Sequence, residues 1–297
     1  MKNREIAFEL RQITQNRNIN LPESIDFELS DGILRVGISD KGVCANMQSN
    51  ESAFEGWALC LRAWLPNLID KVSIYWNPIT HKSDLLHYER FKYRVWKFTN
   101  AYDWAENGSL FNMDYYEENL KNWVVNFPCN EADKDAQGEE AILEREYIVN
   151  RKEYYDVIDQ QLPVGVFNSV ISKATCVMPH GKSQIDIWAL SGNTLHIFEL
   201  KKPNNLMVGI ISELMYYVNI MNDIKNRRIQ YPQDAGLCEY RNFGVLYNSL
   251  CLNKIHSIKG HFLATKLHPL ISSTVINLLN DSYTHKMEHI EYSYIAL

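Results

Sequence analysis

The sequence predicts a mixed α and β fold, in which a small α+β unit precedes a second unit built on a mixed β-sheet flanked by helices. Three observations predict it. Asp31-Gly32 separates two strand-like runs and is a strong hairpin signal. Residues 139–149 and 206–221 repeat their apolar side chains with helical spacing. Gln184-Ile-Asp-Ile-Trp-Ala-Leu190 and Leu195-His-Ile-Phe-Glu-Leu-Lys-Lys202 are apolar, strand-like and joined across the turn Ser191-Gly-Asn193.

In chain order, Phe27–Ser30 and Ile33–Ile38 form the first hairpin. Ser49 or Asn50 is the expected cap of a helix whose apolar face is Phe54, Trp57, Leu61 and Trp64 or Leu65, ending before Pro66. Lys71–Trp76 reads as a strand, and residues 86–105 as a helix with Tyr88, Phe91, Val95, Phe98 and Tyr102 as its core stripe. The domain expectation is an α+β unit over 1–105, a polar connection over 106–135 with a short helix near Tyr115–Val125, and a second unit over 136–297. In that second unit, Ile142, Leu143, Glu146 and Val149 cluster around a helix axis. Met207, Ile210, Leu214, Val218 and Met221 stripe the next helix, and residues 243–248 read as a further strand.

A chain of 297 residues with 46% hydrophobic content can bury a large core, and its length suits about two domains. No apolar run approaches the roughly 20 residues that span a bilayer. Met1-Lys-Asn-Arg-Glu-Ile-Ala lacks a signal-peptide core, so the expectation is a cytoplasmic chain without membrane partners. The six cysteines, at 44, 60, 129, 176, 238 and 251, have neither C-x-x-C nor zinc-finger spacing and read as buried thiols.

The chemistry is concentrated at the strand pair. A strand repeats every second residue, so Glu199 and Lys201 share a face with Leu200 turned away, while Asp186 arrives on the neighbouring strand. Two carboxylates converging on a hard divalent cation, beside an ammonium, suit hydrolysis of a phosphodiester. Charges within strands this apolar call for a reason of that kind.

These residues resemble the signature of the PD-(D/E)XK nuclease superfamily, an aspartate on one strand and E-x-K on the next, matched by Asp186, Glu199, Leu200 and Lys201. Ile185 stands where the signature has proline. The resemblance covers about half of the chain and implies a restriction-endonuclease-like core, in the order helix, strands, helix, strand. It implies that Asp186, Glu199 and the Leu200 carbonyl bind magnesium, with manganese as a substitute, and that Lys201 assists the attacking water. It also implies a glutamate on the preceding helix. Glu144 is the expected one, with Glu140 and Glu146 as alternatives within one turn. On the following helix, Glu213 with Tyr216 or Tyr217 takes the place of the family's polar and aromatic pair, and Tyr217 is the expected aromatic auxiliary.

The expected function is therefore divalent-metal-dependent cleavage of nucleic acid, DNA before RNA, in restriction, repair or defence. Cutting two strands would suit a homodimer. The net charge of −6 does not advertise a nucleic-acid partner, so a local basic surface is required. Arg90, Lys92, Arg94 and Lys97, interleaved with aromatics, are the candidate contacts, although the same pattern fits a core helix with a solvated basic face. Lys225-Asn-Arg-Arg228 is a second basic cluster. Two other functions compete: a nuclease fold that binds or assembles without cutting, and a metal enzyme acting on a small phosphorylated substrate in a closed pocket.

Overall fold

The computed structural model describes residues 1–79, 85–126, 138–179, 183–203, 206–231 and 235–297. Cys129, Asn204, Asn205 and the part of the expected connection after residue 126 lie outside the described residues. In chain order the elements are α1 (Asn3–Thr14), β1 (Ile25–Ser30), β2 (Ile33–Ile38), α2 (Asp40–Val43), α3 (Phe54–Trp64), β3 (Lys71–Trp76), α4 (Leu85–Ala101) and β4 (Ala105–Asn107). There follow α5 (Asp114–Asn119), β5 (Trp123–Val125), α6 (Glu139–Arg151), β6 (Val157–Pro163), β7 (Val166–Asn168), β8 (Gln184–Ser191), β9 (Thr194–Lys201) and α7 (Gly209–Lys225). The chain closes with α8 (Phe243–Cys251), β10 (Ser257–Ala264), α9 (Ser273–Asn280), α10 (Tyr283–Glu288) and β11 (Ile290–Ala296). The fold is thus mixed α and β, with open sheets.

The chain divides into two compact units whose boundaries differ from the expected ones. The first contains Met1–Asp114, Leu206–Glu213 and Leu267–Lys286, and the second contains Tyr115–Asn205, Leu214–Lys266 and Met287–Leu297. The expected connection is partly regular structure: β4 pairs with β3, and β5 pairs with β7. Short strands flanked by polar residues carry too little alternation to be seen in sequence.

In the first unit the sheet order is β1-β2-β3-β4. Asp31 and Gly32 both take positive φ, 51° and 77°, as a two-residue hairpin loop requires. β2, β3 and β4 run parallel, joined through α3 and α4. Phe27, Leu34, Val36, Val72 and Ile74 are buried in its core, where Phe54 meets Phe91 and Phe98 edge-on at 5.4 and 5.8 Å. α3 begins after Ala53 and not after Ser49 or Asn50; the amides of Ser52 and Ala53 instead close a turn on the Ser49 carbonyl, both at 3.0 Å.

The expected basic face of α4 is also corrected. Arg90, Arg94 and Lys97 are buried. Arg94 forks onto Glu55 through Nε to Oε1 at 2.8 Å and Nη2 to Oε2 at 2.5 Å, and Nη2 also donates to the Ser52 carbonyl at 2.7 Å. Ser212 donates to Glu55 Oε2 at 2.7 Å. Arg90 contacts His87 Nδ1 at 3.0 Å, Lys97 lies over the Trp96 ring at 4.6 Å, and Lys92 pairs with Glu89 at 2.7 Å. A buried guanidinium this well satisfied is a structural element of the unit, and α4 does not offer these residues as a basic surface.

In the second unit the sheet order is β11-β10-β9-β8-β6. β6, β8 and β9 are antiparallel neighbours, and β10 and β11 continue parallel to β9. α7 supplies the crossover from β9 to β10, the usual solution for parallel strands. On one face Tyr147 of α6 packs with Ile158, Ile187, Ala189, Phe198, Leu200 and Leu263. On the other, a Cβ added to Gly260 would stand 3.0 Å from Val218 of α7, so that helix presses close on β10. The resulting arrangement has helices on both sides of the sheet.

Two further expectations change here. α6 buries Ala141, Glu144 and Tyr147, leaving Ile142 and Val149 exposed, because Tyr147 is the side chain large enough to fill the space over Phe198. Residues 243–248 are helix and not strand: Phe243, Leu246, Tyr247 and Leu250 are buried at helical spacing, and β10 takes the sheet position instead. A short apolar run cannot distinguish the two by periodicity.

On the α6 face of the sheet, His196 Nδ1 lies 2.9 Å from His261 Nε2, and His261 Nδ1 lies 2.8 Å from Ser293 Oγ. Burial, with Lys259 nearby, pushes His196 down to about 4; burial, then His196 and Lys259, pushes His261 down to about 3. Both rings are thus neutral in the folded protein at pH values where the unfolded chain binds protons. Stability is expected to fall as pH drops from 6.5 towards 4, and His261→Gln should reduce that slope by about one proton. Urea unfolding across this range checks it; equal slopes for both proteins would contradict it.

Of the described cysteines, Cys44 and Cys176 are half-buried. Cys60 and Cys238 are buried as expected, whereas Cys251 is exposed.

Candidate metal centre

The candidate centre lies in the second unit, at the open end of the β8–β9 hairpin. The ladder between these strands runs from Ser191↔Thr194 to Ile187↔Phe198 and there gives way to side-chain chemistry. Beyond that point the Leu200 amide donates to Asp186 Oδ2 at 2.8 Å. Asp186 therefore takes the place of a backbone acceptor and is fixed against the very residue between Glu199 and Lys201. Glu199 and Lys201 are both buried, at 1% and 7% exposure, and the ammonium donates to Glu199 Oε1. Strand alternation sets them opposite Phe198 and Leu200, which belong to the apolar cluster under α6.

Glu144 comes from α6, buried at 4% exposure. Gln161 Nε2 approaches Glu144 Oε2 at 3.4 Å. Burial and the negative charge of Asp186 push the Glu144 carboxyl up to about 8, against the opposing influences of Gln161 and Arg241. Among the three glutamates the sequence left open, Glu144 is the buried one, and the charge of Asp186 acts on it. Glu140 only adds a smaller repulsion to it. Glu213 and Tyr217 are both buried on α7; Glu213 belongs to the first unit and Tyr217 to the second.

The elevated Glu144 carboxyl has a measurable consequence. Between the ordinary carboxyl value of 4.5 and about 8, the folded protein holds a proton that the unfolded chain has released, so stability falls as pH rises. The slope reaches at most about 1.4 kcal/mol per pH unit. Glu144→Gln should remove this dependence and make the metal-free protein more stable than wild type at pH 8. Denaturant unfolding in a chelator at pH 5 and pH 8 tests the sign; a variant as pH-dependent as wild type would contradict it.

Among the described residues, no group of three or more histidine, cysteine, aspartate or glutamate side chains stands ready to hold a metal ion. Magnesium does not require one: it keeps several waters and is commonly held by one or two carboxylates. The donor set here is all oxygen, and one buried carboxyl, Glu144, is pushed up to about 8, first by burial and then by repulsion from the charge of Asp186. A divalent cation would relieve that repulsion, so the residues fit such an ion.

Sequence reasoning missed Gln161, Arg241 and Asn242. Arg241 Nη1 donates to Gln161 Oε1 at 2.8 Å, and Asn242 Nδ2 donates to Asp159 Oδ2 at 2.9 Å. Tyr240-Arg-Asn242 carries a weak turn signal, since asparagine tolerates left-handed backbone, but nothing in the sequence joins it to β6.

No protein-family model matches the chain, and neither a curated protein nor a solved structure matches it. Among the described residues no helix is long and apolar enough to cross a membrane.

Proposed function

We propose that the chain is a divalent-metal-dependent nuclease with a restriction-endonuclease-like core in its second unit, acting on DNA in preference to RNA. The observation that carries this reading is the Asp186 carboxylate held by the amide of Leu200, the residue between Glu199 and Lys201. Support also comes from the order α6, β6, β8, β9, α7, α8, β10 around the main sheet, which keeps the helix, strands, helix, strand order that the resemblance to the PD-(D/E)XK superfamily implies with one helix, α8, added before the last strand. The preference for DNA, and roles in restriction, repair or defence, come from that resemblance.

Asp186 and Glu199, with the Leu200 carbonyl, would hold magnesium, or manganese in its place. Such an ion supplies an activated water and neutralises charge developing on a phosphodiester. Lys201 is positioned on the face of β9 that carries Glu199 and would orient the nucleophile or stabilise the departing charge. Glu144 would hold or exchange a proton at the water, a task suited to a carboxyl near neutral pH. A homodimer would serve double-strand cleavage.

The experiment is incubation of supercoiled plasmid, linear duplex, single-stranded DNA and RNA with magnesium, manganese or chelator. Cutting that requires the metal supports the proposal and names the substrate; no cutting of any substrate by folded protein would overturn it. A second reading, a nuclease fold that binds without cutting, is favoured by the contact that ties Lys201 to Glu199. Nucleic-acid binding indifferent to metal, with no cleavage, would support that reading.

A further inference from the structure

We propose that the polar face of the first unit's sheet binds a basic α-amino acid, arginine or lysine, with Arg35 gripping its carboxylate and Glu28 and Glu106 meeting its two cationic groups. The inference concerns the first unit alone and is independent of the nuclease reading.

Alternation makes one face of this sheet polar. Phe27, Leu34, Val36, Val72 and Ile74 are buried on one side, so Asp26, Glu28, Arg35 and Tyr75, one residue out of step with them, lie on the other. Register then draws a row across all four strands, with Glu28 opposite Arg35, Arg35 opposite Ser73 and Ser73 opposite Glu106. The next row is Asp26, Gly37 and Tyr75. Gly37 has to be glycine: a Cβ there would stand 2.5 Å from the Tyr75 hydroxyl oxygen. The tyrosine therefore leans across β2, and its hydroxyl donates to Asp26 Oδ2 at 3.3 Å. Gly108 gives room in the same way, since a Cβ on it would lie 2.5 Å from Ser73 Oγ. Between these small residues lies a depression of about 490 Å³, lined also by Ile33, Arg35 and the two glutamates.

The groups lining it await a partner. Ser73 is only 8% exposed, and among the described residues nothing hydrogen-bonds to its hydroxyl. A hydroxyl withdrawn this far from water is costly unless a bound group completes it. Arg35 and Glu28 stand directly opposite each other, yet neither they nor Glu106 make an ion pair among the described residues. The charges along the row run negative, positive, negative. Adjacent strands are about 4.8 Å apart, so at the backbone Glu28 is one such step from Arg35 and Glu106 is two, roughly 10 Å. A basic amino acid has the same uneven spacing: its α-ammonium adjoins its carboxylate, and its second cation sits at the far end of the side chain. With the carboxylate on the Arg35 fork and accepting from Ser73, the short step brings the α-ammonium to Glu28 and the long one brings the side-chain cation to Glu106. One guanidinium against two carboxylates leaves the row with a single negative charge, the complement of the single positive charge of arginine or lysine. Ile33 and the Tyr75 ring offer apolar contact to the methylene stem.

The test is titration calorimetry of the full chain with L-arginine and L-lysine, beside agmatine, which lacks the carboxylate, N-acetyl-L-arginine, which lacks the α-ammonium, and L-norleucine, which lacks the side-chain cation. Saturable binding of arginine or lysine is expected, weakened about tenfold or more in each of the three analogues. Arg35→Gln should abolish the preference for arginine over agmatine, and Glu106→Gln the preference for lysine over norleucine. Ser73→Ala should weaken arginine binding severalfold. Both Arg35 and Glu106 are exposed, so their variants should melt as wild type does. Folded wild type that takes up neither amino acid at up to about 10 mM would overturn the inference, as would equal affinity for the analogues or unchanged binding in both Arg35→Gln and Glu106→Gln. A peptide ending in arginine that binds as tightly as the amino acid would overturn it equally, because its α-nitrogen is an uncharged amide. The nuclease reading stands or falls apart from all of these results.

Discussion

Asp186→Asn is expected to lower magnesium-dependent cleavage by about a thousandfold or more while leaving the fold intact, the scale set by losing several kcal/mol of charge stabilisation at about 1.4 kcal/mol per factor of ten. Asparagine keeps the shape and an oxygen that can accept from the Leu200 amide, so the strand end should survive. What it lacks is the negative charge. Lys201→Ala should fall similarly, but for a different reason, since it removes the cation beside the reacting phosphate. The two variants separate on metal affinity: Asp186→Asn should bind the ion more weakly, whereas Lys201→Ala should bind it at least as well, because Glu199 loses its competing partner. Single-turnover cleavage at several magnesium concentrations measures both effects. Wild-type rates in Asp186→Asn would contradict the assignment.

The second large effect lies in the first unit. Glu55→Ala should destabilise it by about 3–5 kcal/mol, since Arg94 would be left with an uncompensated buried charge. Replacing both residues with apolar ones, Glu55→Leu and Arg94→Met together, should cost less than Glu55→Ala alone, as no buried charge then remains. Urea unfolding of the three proteins, followed by tryptophan fluorescence, checks the order. A Glu55→Ala loss below about 1 kcal/mol would mean that water reaches Arg94.

The Arg94–Glu55 pair also shows where sequence stops being legible. Arg90, Arg94 and Lys97 alternate with aromatics on α4, and Arg94 is buried against Glu55 and Ser52, about forty residues away along the chain. A charged residue is read as solvated unless its partner is known, and partners distant in sequence leave no local trace. The elements that were legible were those with a strong period and clear punctuation: the Asp31-Gly32 hairpin, α3, α6, α7 and the β8–β9 pair. β6, β10 and β11 went unread because their alternation is broken by His261 and Gly260 in β10, by polar Gln160 and Gln161 in β6, and in β11 by Tyr294, exposed on the face where Ile290 and Tyr292 are buried. The centre itself divides in the same way. Asp186, Glu199 and Lys201 stand close together in sequence on two adjoining strands, so spacing alone brings them together. Glu144 needed the rotation of α6, which its apolar residues misreport, since Val149 is exposed and Glu144 is not. Gln161 and Arg241 meet through a hydrogen bond across about eighty residues of chain, visible only in three dimensions.

The central claim, that Asp186 and Glu199 hold a divalent cation, is tested most directly by titrating the protein with manganese and following the electron paramagnetic resonance signal of the free ion. Wild type is predicted to remove manganese from solution at a defined stoichiometry, magnesium to displace it, and Asp186→Asn and Glu199→Gln each to weaken it markedly. Folded wild type that takes up no manganese, or uptake unchanged in both variants, would contradict the claim.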